Sequence, residues 1–129
     1  MFGDLQGSLQ DCLLLESHFF RSVPTVSQPL LFLGNYSGRA NNGIECILYL
    51  FALKVLMPNV VYLLRGRNEI HGSTQNSGDT LESELILKYG NDFGPKIFKQ
   101  VQRVFECLPF GAIVDERVLC THSGIPKLA

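Results

Sequence analysis

The sequence predicts an α/β fold in which short buried strands end at loops that carry polar and charged side chains. The clearest example is residues 60–70, where five aliphatic or aromatic residues run into Arg-Gly-Arg-Asn-Glu. The same construction occurs at residues 30–39 and at residues 117–124, and the chain opens on a similar loop at residues 3–7. Because α/β proteins place their chemistry at the open ends of buried strands, we expect these four loops to converge on one site.

The first quarter of the chain predicts a helix, a loop and a strand. Residues 8–20 have the pattern of an amphipathic helix, with Ser8 available as its N-cap. The apolar face of this helix is predicted to comprise Leu9, Leu13 and Phe20. Residues 21–29 contain two prolines and three hydroxyl residues, so we expect a loop there, followed by a strand at residues 30–33.

A second helix is predicted from Asn41 or Asn42 to about Met57, where Pro58 ends it. Its apolar face is predicted to comprise Ile44, Leu48, Phe51 and Val55. A strand beginning at Val60 follows directly. The order strand, helix, strand with short connections predicts a βαβ unit and parallel strand pairing.

The second half of the chain predicts helices and a hairpin. Residues 71–79 are polar and contain glycine, so a surface loop is expected. Residues 80–108 predict two helical segments broken around residues 90–92. The apolar face of the second segment is predicted to comprise Ile97, Val101, Val104 and Phe105. Residues 112–120 have the pattern of a hairpin that ends at His122.

Composition restricts the function classes. A chain of 129 residues with 46% hydrophobic content suits one globular domain, and a net charge of −1 gives no electrostatic reason to bind nucleic acid or a membrane surface. The longest apolar run, residues 46–57, is too short to span a bilayer, and no signal peptide precedes the first loop. The four cysteines show no zinc-like spacing, so we expect reduced thiols in the cytoplasm or nucleus.

In order and spacing, the four loops resemble the signature motifs of the serine/threonine phosphoprotein phosphatases, a metallophosphoesterase family that includes calcineurin. The family motifs read Gly-Asp-x-His-Gly, Gly-Asp-x-Val-Asp-Arg-Gly, Gly-Asn-His-Glu and His-Gly-Gly. The resemblance implies a single partial domain over residues 1–129, the N-terminal part of a β-sandwich flanked by helices. It also implies that the first strand and the C-terminal half are lacking. Unpaired sheet edges would then be exposed, so we expect a protein partner to cover them.

The resemblance implies two divalent metals, manganese, iron or zinc, which activate a shared water for attack on phosphorus. The family's metal-ligand positions fall on Asp4, Gln6, Asn35, Arg67 and His122, of which Asp4 and His122 keep the family residue. Asn35 replaces a bridging aspartate, and Arg67 places a cation where the family has an amide ligand. A unit charge about 4 Å from a dication is repelled by roughly 8 kcal/mol at a dielectric of about 20. We therefore expect no metal, or one weakly bound.

The general-acid pair of the family is replaced as well, since Asn68 stands for the histidine and Gly38 for the aspartate that orients it. The hypothesis we favour is therefore a phosphatase-like protein without catalytic activity. Simpler interpretations exist for the retained side chains: a helix cap for Asp4, and a packed or hydrogen-bonded histidine for His122. The remaining two, Arg39 and Glu69, would be solvated loop charges or a weak ion pair.

Two alternative functions remain open. The first is a residual serine/threonine phosphatase that uses Asp4, Gln6, Asn35 and His122 to hold one metal and acts on a phosphoprotein. The second is a metal-free phosphate-binding module, in which Arg39 and Arg67 hold a phosphorylated side chain beside backbone amides. In the second alternative, Arg67 supplies the positive charge that the family obtains from a metal ion.

Overall fold

Helices and strands alternate along the chain in the computed structural model, which describes residues 1–19, 29–70 and 80–124. The helices are α1 (Leu9–Phe19), α2 (Gly43–Leu56) and α3 (Leu81–Phe105), with a single 3₁₀ turn at Arg67–Glu69. The strands are β1 (Leu30–Phe32), β2 (Val61–Leu63), β3 (Gly111–Val114) and β4 (Val118–Thr121). The loop predictions for residues 21–29 and 71–79 lie, except for Pro29, outside the described residues.

The predicted βαβ unit is confirmed. Strands β1 and β2 pair in parallel, with Leu30 opposite Val61, and α2 connects them. Ahead of the first loop, Phe2 forms one parallel bridge to Phe32, and the two rings stack with their centroids 4.9 Å apart. The loop at residues 3–7 therefore starts beside β1, at the same edge of the sheet as the loops that follow β1 and β2.

The predicted apolar faces of α1 and α2 are partly wrong. In α1, Leu13 is half exposed and the buried position is Cys12, while Phe20 lies outside the described residues. In α2, Leu48 and Val55 are exposed. The buried residues of α2 are Gly43, Ile44, Cys46, Ile47 and Leu50. Both helices carry apolar residues around most of their circumference, so the sequence pattern does not define one face.

The α1–α2 interface brings Cys12 and Cys46 together, close enough for each thiol to influence the pKa of the other. This contact was not predicted, because the two cysteines are far apart along the chain. All four cysteines are free; Cys107 is exposed and the other three are buried.

Helix α3 is broken at Gly90, as predicted, where φ is 79° and ψ is 171°. Beyond the break Val101 and Phe105 are buried, but Val104 is 43% exposed, so the predicted face is slightly too wide. The predicted hairpin is also confirmed, with β3 and β4 antiparallel. Of the helices within the described ranges, none combines the length and apolar character that crossing a bilayer requires.

Candidate functional site

The four polar loops converge at one edge of the β1–β2 pair, as predicted. The amides of Leu5 and Gln6 donate to the carbonyl oxygen of Asn35, at 3.2 and 3.0 Å. The loop after β4 joins them, because Nδ1 of His122 lies 3.0 Å from the carbonyl oxygen of Leu33. In each of these contacts, the acceptor is a backbone carbonyl group of the loop that follows β1.

Glu69 is the buried centre of this arrangement. Its Oε2 accepts hydrogen bonds from the amides of Asn35 at 2.8 Å and Gly66 at 2.9 Å, and its Oε1 accepts one from the amide of Tyr36 at 2.9 Å. Burial raises the pKa of Glu69, although the three N–H donors and nearby His122 oppose that shift. The interpretation of Glu69 as a solvated loop charge is wrong, because the carboxylate joins the loops that follow β1 and β2.

Two glycines allow these loops to approach each other. A Cβ atom at Gly34 would collide with the backbone of Gly66, and Gly34 has a φ of 111° that side chains rarely adopt. A Cβ atom at Gly66 would collide with the amide nitrogen of Asn35. Asn35 itself has a φ of 56°, a conformation that asparagine tolerates better than most residues. Gly34 and Gly66 thus allow the loops that follow β1 and β2 to pack closely against each other.

Two side-chain amides donate hydrogen bonds to Asp4. Its Oδ2 accepts hydrogen bonds from Nε2 of Gln6 and Nδ2 of Asn35, each at 2.9 Å. Nδ1 of His122 lies 3.9 Å from Oδ1 of Asp4. The helix-cap interpretation of Asp4 is wrong, since Oγ of Ser8 accepts the amide of Asp11 in the first turn of α1. Gln6, Asn35 and His122 therefore gather around Asp4, as the loop positions predict.

Asn68 and Gly38, the positions where the resemblance implies a general-acid pair, take part in hydrogen bonds and in close packing. Asn68 donates from Nδ2 to the carbonyl oxygen of Ser37 at 2.6 Å, and its amide donates to Oδ1 of Asn35 at 2.9 Å. A Cβ atom at Gly38 would collide with Oε1 of Gln6. Gln6 thus occupies the space that a side chain at position 38 would need, a coupling that the sequence analysis missed.

Arg67 is exposed and lines a cavity of about 390 Å³ together with Arg65, Phe110 and His122. The guanidinium carbon of Arg65 lies 5.2 Å from the centroid of the Phe110 ring. Arg39 is exposed and is not among the described residues that line this cavity. Arg67 therefore shares this cavity with Arg65. The sequence analysis missed Arg65 and Phe110, which come together where the amide of Arg65, after β2, donates to the carbonyl oxygen of Pro109, ahead of β3.

The residues around Asp4 do not fit a centre of two divalent metals. Two adjacent dications need several negative oxygen ligands, whereas Gln6 and Asn35 direct N–H groups at the one carboxylate present. Nδ1 of His122 is engaged with the carbonyl of Leu33. Within the described part of the chain, no three or more His, Cys, Asp or Glu residues are grouped so that they could hold a metal ion. The donor set is that of a hydrogen-bonded cluster.

Comparisons with known proteins agree with the loop motifs. Residues 1–128 match the sequence model of the calcineurin-like phosphoesterases. The chain is 37% identical over 123 residues to serine/threonine-protein phosphatase 7 of Arabidopsis thaliana, which covers 95% of this chain and 29% of that protein. It is 33% identical to the serine/threonine-protein phosphatase 4 catalytic subunit of Kluyveromyces lactis, with 95% of this chain and 37% of that protein covered.

A solved structure resembles the fold closely. It is that of a serine/threonine phosphatase from Saccharomyces cerevisiae with similarity to human phosphatase PP5, and it superposes with a TM-score of 0.82 at 30% identity. The match covers 97% of this chain and 37% of that chain. The chain therefore corresponds to about a third of the length of these relatives, from the N-terminal part of their fold.

Proposed function

The chain belongs to the calcineurin-like phosphoesterase family, with serine/threonine protein phosphatases as its relatives, and from this premise we propose that it is a non-catalytic member. In this proposal the chain keeps the loop scaffold of a phosphatase site and uses it for binding instead of hydrolysis. The family is one of metal-dependent phosphoesterases, so loss of catalysis here means loss of the metal centre. The intact scaffold, with Glu69 and the paired glycines, supports retention of a binding role.

The observation that carries the proposal is the pair of amides on Asp4. Nε2 of Gln6 and Nδ2 of Asn35 both lie 2.9 Å from Oδ2 of Asp4, where a metal ligand would offer an oxygen instead. Their N–H groups bring the partial positive charge that a carboxylate would otherwise take from a cation. The site is thus internally satisfied without a metal.

The same geometry weighs against hydrolysis with one metal. Such a site would need the carbonyl oxygens of Gln6 and Asn35 as ligands. Oδ1 of Asn35 instead accepts the amide of Asn68 at 2.9 Å, and Oε1 of Gln6 lies against Gly38. Neither oxygen is directed at Asp4. In this proposal Asn68 and Gly38 also supply no general acid. The site would then lack the groups that phosphomonoester hydrolysis requires.

A protein partner is part of this proposal. The outer face of the β3–β4 hairpin exposes Ile113 by 69% and Leu119 by 55%. Exposed apolar strands of this kind favour association with another protein surface. We place the protein in the cytoplasm or nucleus, where four free cysteines stay reduced and where its ligands would be phosphoproteins.

A metal titration tests the proposal directly. We expect manganese, ferrous iron and zinc each to change the melting temperature of the purified protein by less than about 1 °C, because no metal binds the native state. A site filled at 100 times its dissociation constant would stabilise the fold by about 2.7 kcal/mol and raise the melting temperature by roughly 10 °C. Stoichiometric bound metal together with such a rise would contradict the proposal.

Asn35→Asp should convert the hydrogen-bonded cluster into a metal-responsive one. The substitution replaces the donor 2.9 Å from Oδ2 of Asp4 with a second carboxylate. The lost hydrogen bond and the like-charge contact should lower the free energy of unfolding by about 1–3 kcal/mol without metal. Manganese should recover part of that loss.

The matched control is Asn59→Asp, which makes the same change of charge at an exposed position. Urea unfolding with EDTA and with manganese gives both readouts. If Asn35→Asp and Asn59→Asp behave alike under both conditions, the amide of Asn35 does not hold Asp4 and the proposed replacement of the metal is wrong.

A further inference from the structure

A second feature of the site is the cavity between the loop after β2 and the β3–β4 hairpin. It has a volume of about 390 Å³, within the usual range of about 300–1,000 Å³ for small-ligand sites. Its wall includes Arg65, Arg67, Ile70, Phe110 and His122. No aspartate or glutamate is among the described residues that line it, so the described part of the wall carries positive charge.

The two arginines are placed to receive an oxyanion. Arg67 is exposed at the wall, and Arg65 lies half-buried beside it, on the other side of Gly66. Nε of Arg65 is buried and has no hydrogen-bond acceptor within the described ranges. A buried donor without an acceptor is unfavourable, so an anion that offers oxygens to this guanidinium would be favoured. Guanidinium groups match phosphate oxygens in geometry as well as in charge.

Two of the residues that line the cavity are large and apolar. Phe110 is 63% exposed and Ile70 is 43% exposed, and both line the cavity. The ring of Phe110 already stacks with the guanidinium of Arg65, with 5.2 Å between the ring centroid and Cζ. An aromatic ring that entered beside them would bury apolar surface and extend the stack. The cavity thus offers guanidinium groups and an aromatic surface side by side.

We propose that this cavity binds an aryl phosphate, such as the side chain of a phosphotyrosine residue, without metal and without hydrolysis. The inference rests on the proposed non-catalytic function, since the phosphate is retained rather than transferred. Arg67 and Arg65 hold the phosphate, and Phe110 and Ile70 contact the ring. An alkyl phosphate such as phosphoserine reaches the arginines but leaves Phe110 uncovered, so the site discriminates between the two phosphorylated side chains.

The test is a binding titration in EDTA with one short peptide in four forms, carrying phosphotyrosine, tyrosine, phosphoserine or serine, and with inorganic phosphate as a further ligand. We expect the phosphotyrosine peptide to bind at least about 10-fold more tightly than the phosphoserine peptide, and more tightly than phosphate. Arg67→Ala should weaken phosphotyrosine binding by about 10-fold or more. Phe110→Ala should weaken phosphotyrosine binding and leave phosphoserine binding unchanged.

Arg103→Ala is the matched control, because Arg103 is exposed on α3 and its loss changes the net charge equally. Each variant is first shown to melt at the wild-type temperature. Equal affinity of wild type and Arg67→Ala, an equal loss in Arg103→Ala, or no preference for phosphotyrosine over phosphoserine would each overturn the inference. Release of phosphate from the phosphotyrosine peptide when manganese replaces EDTA would instead refute the non-catalytic function. The titration in EDTA would still show whether the cavity binds phosphotyrosine without metal.

Discussion

Replacing Glu69 by alanine is expected to lower the free energy of unfolding by about 3 kcal/mol or more. The substitution removes both oxygens that accept the amides of Asn35, Tyr36 and Gly66, at 2.8–2.9 Å. Glu69 is only 3% exposed, so water cannot readily replace it. Each buried N–H group left without an acceptor costs about 1–3 kcal/mol. Because these donors belong to different loops, we expect loss of the site geometry together with loss of stability.

Glu69→Gln should have an intermediate effect of about 1–3 kcal/mol, since one carboxylate oxygen becomes an NH₂ group that faces a backbone donor. Glu106→Gln, at an exposed position after α3, makes the same chemical change and should stay within about 0.5 kcal/mol. Urea unfolding followed by circular dichroism measures all three variants. If Glu69→Ala were no more harmful than Glu106→Gln, the carboxylate would not be the group that joins the loops.

The fold was predictable where one local pattern decided it. The strand, helix, strand order fixed the parallel pairing of β1 with β2, and glycine at position 90 fixed the break in α3. The buried faces of α1 and α2 were less predictable. Nearly continuous apolar sequence in α2 fits several rotations about the helix axis, and only the contacts with β2, α1 and α3 select one.

The position of the site was predictable from its loop motifs, but its internal arrangement was not. Motif order located Asp4, Asn35 and His122, which do gather. The role of Glu69 depends on three backbone amides that no side-chain pattern reports. The coupling of Gln6 to Gly38 depends on van der Waals contact between two loops. Contacts of this kind arise from the folded backbone, so one sequence gives no sign of them.

Gly34→Ala is expected to lower the free energy of unfolding strongly, because it disturbs a close backbone contact between two loops. The new Cβ atom would meet the backbone nitrogen and Cα of Gly66, and the φ of 111° is itself unfavourable for alanine. Backbone strain of about 1–3 kcal/mol and overpacking of about 1–3 kcal/mol should together lower the free energy of unfolding by about 2–6 kcal/mol. Separation of the two loops would also weaken the hydrogen bonds of Glu69.

Gly90→Ala isolates the first of these two costs. Gly90 also has a positive φ, of 79°, but a Cβ atom there would have nothing within 4 Å. Gly90→Ala should therefore lower the free energy of unfolding by about 1–3 kcal/mol. Gly3→Ala introduces neither backbone strain nor a close contact and should be close to neutral. The excess of Gly34→Ala over Gly90→Ala in urea unfolding then measures the close approach of the β1 and β2 loops. If both variants lowered the free energy of unfolding equally, the loops after β1 and β2 would separate easily. Loops that separate easily could not hold the amides of Gln6 and Asn35 against Asp4, and the proposed non-catalytic function depends on that arrangement.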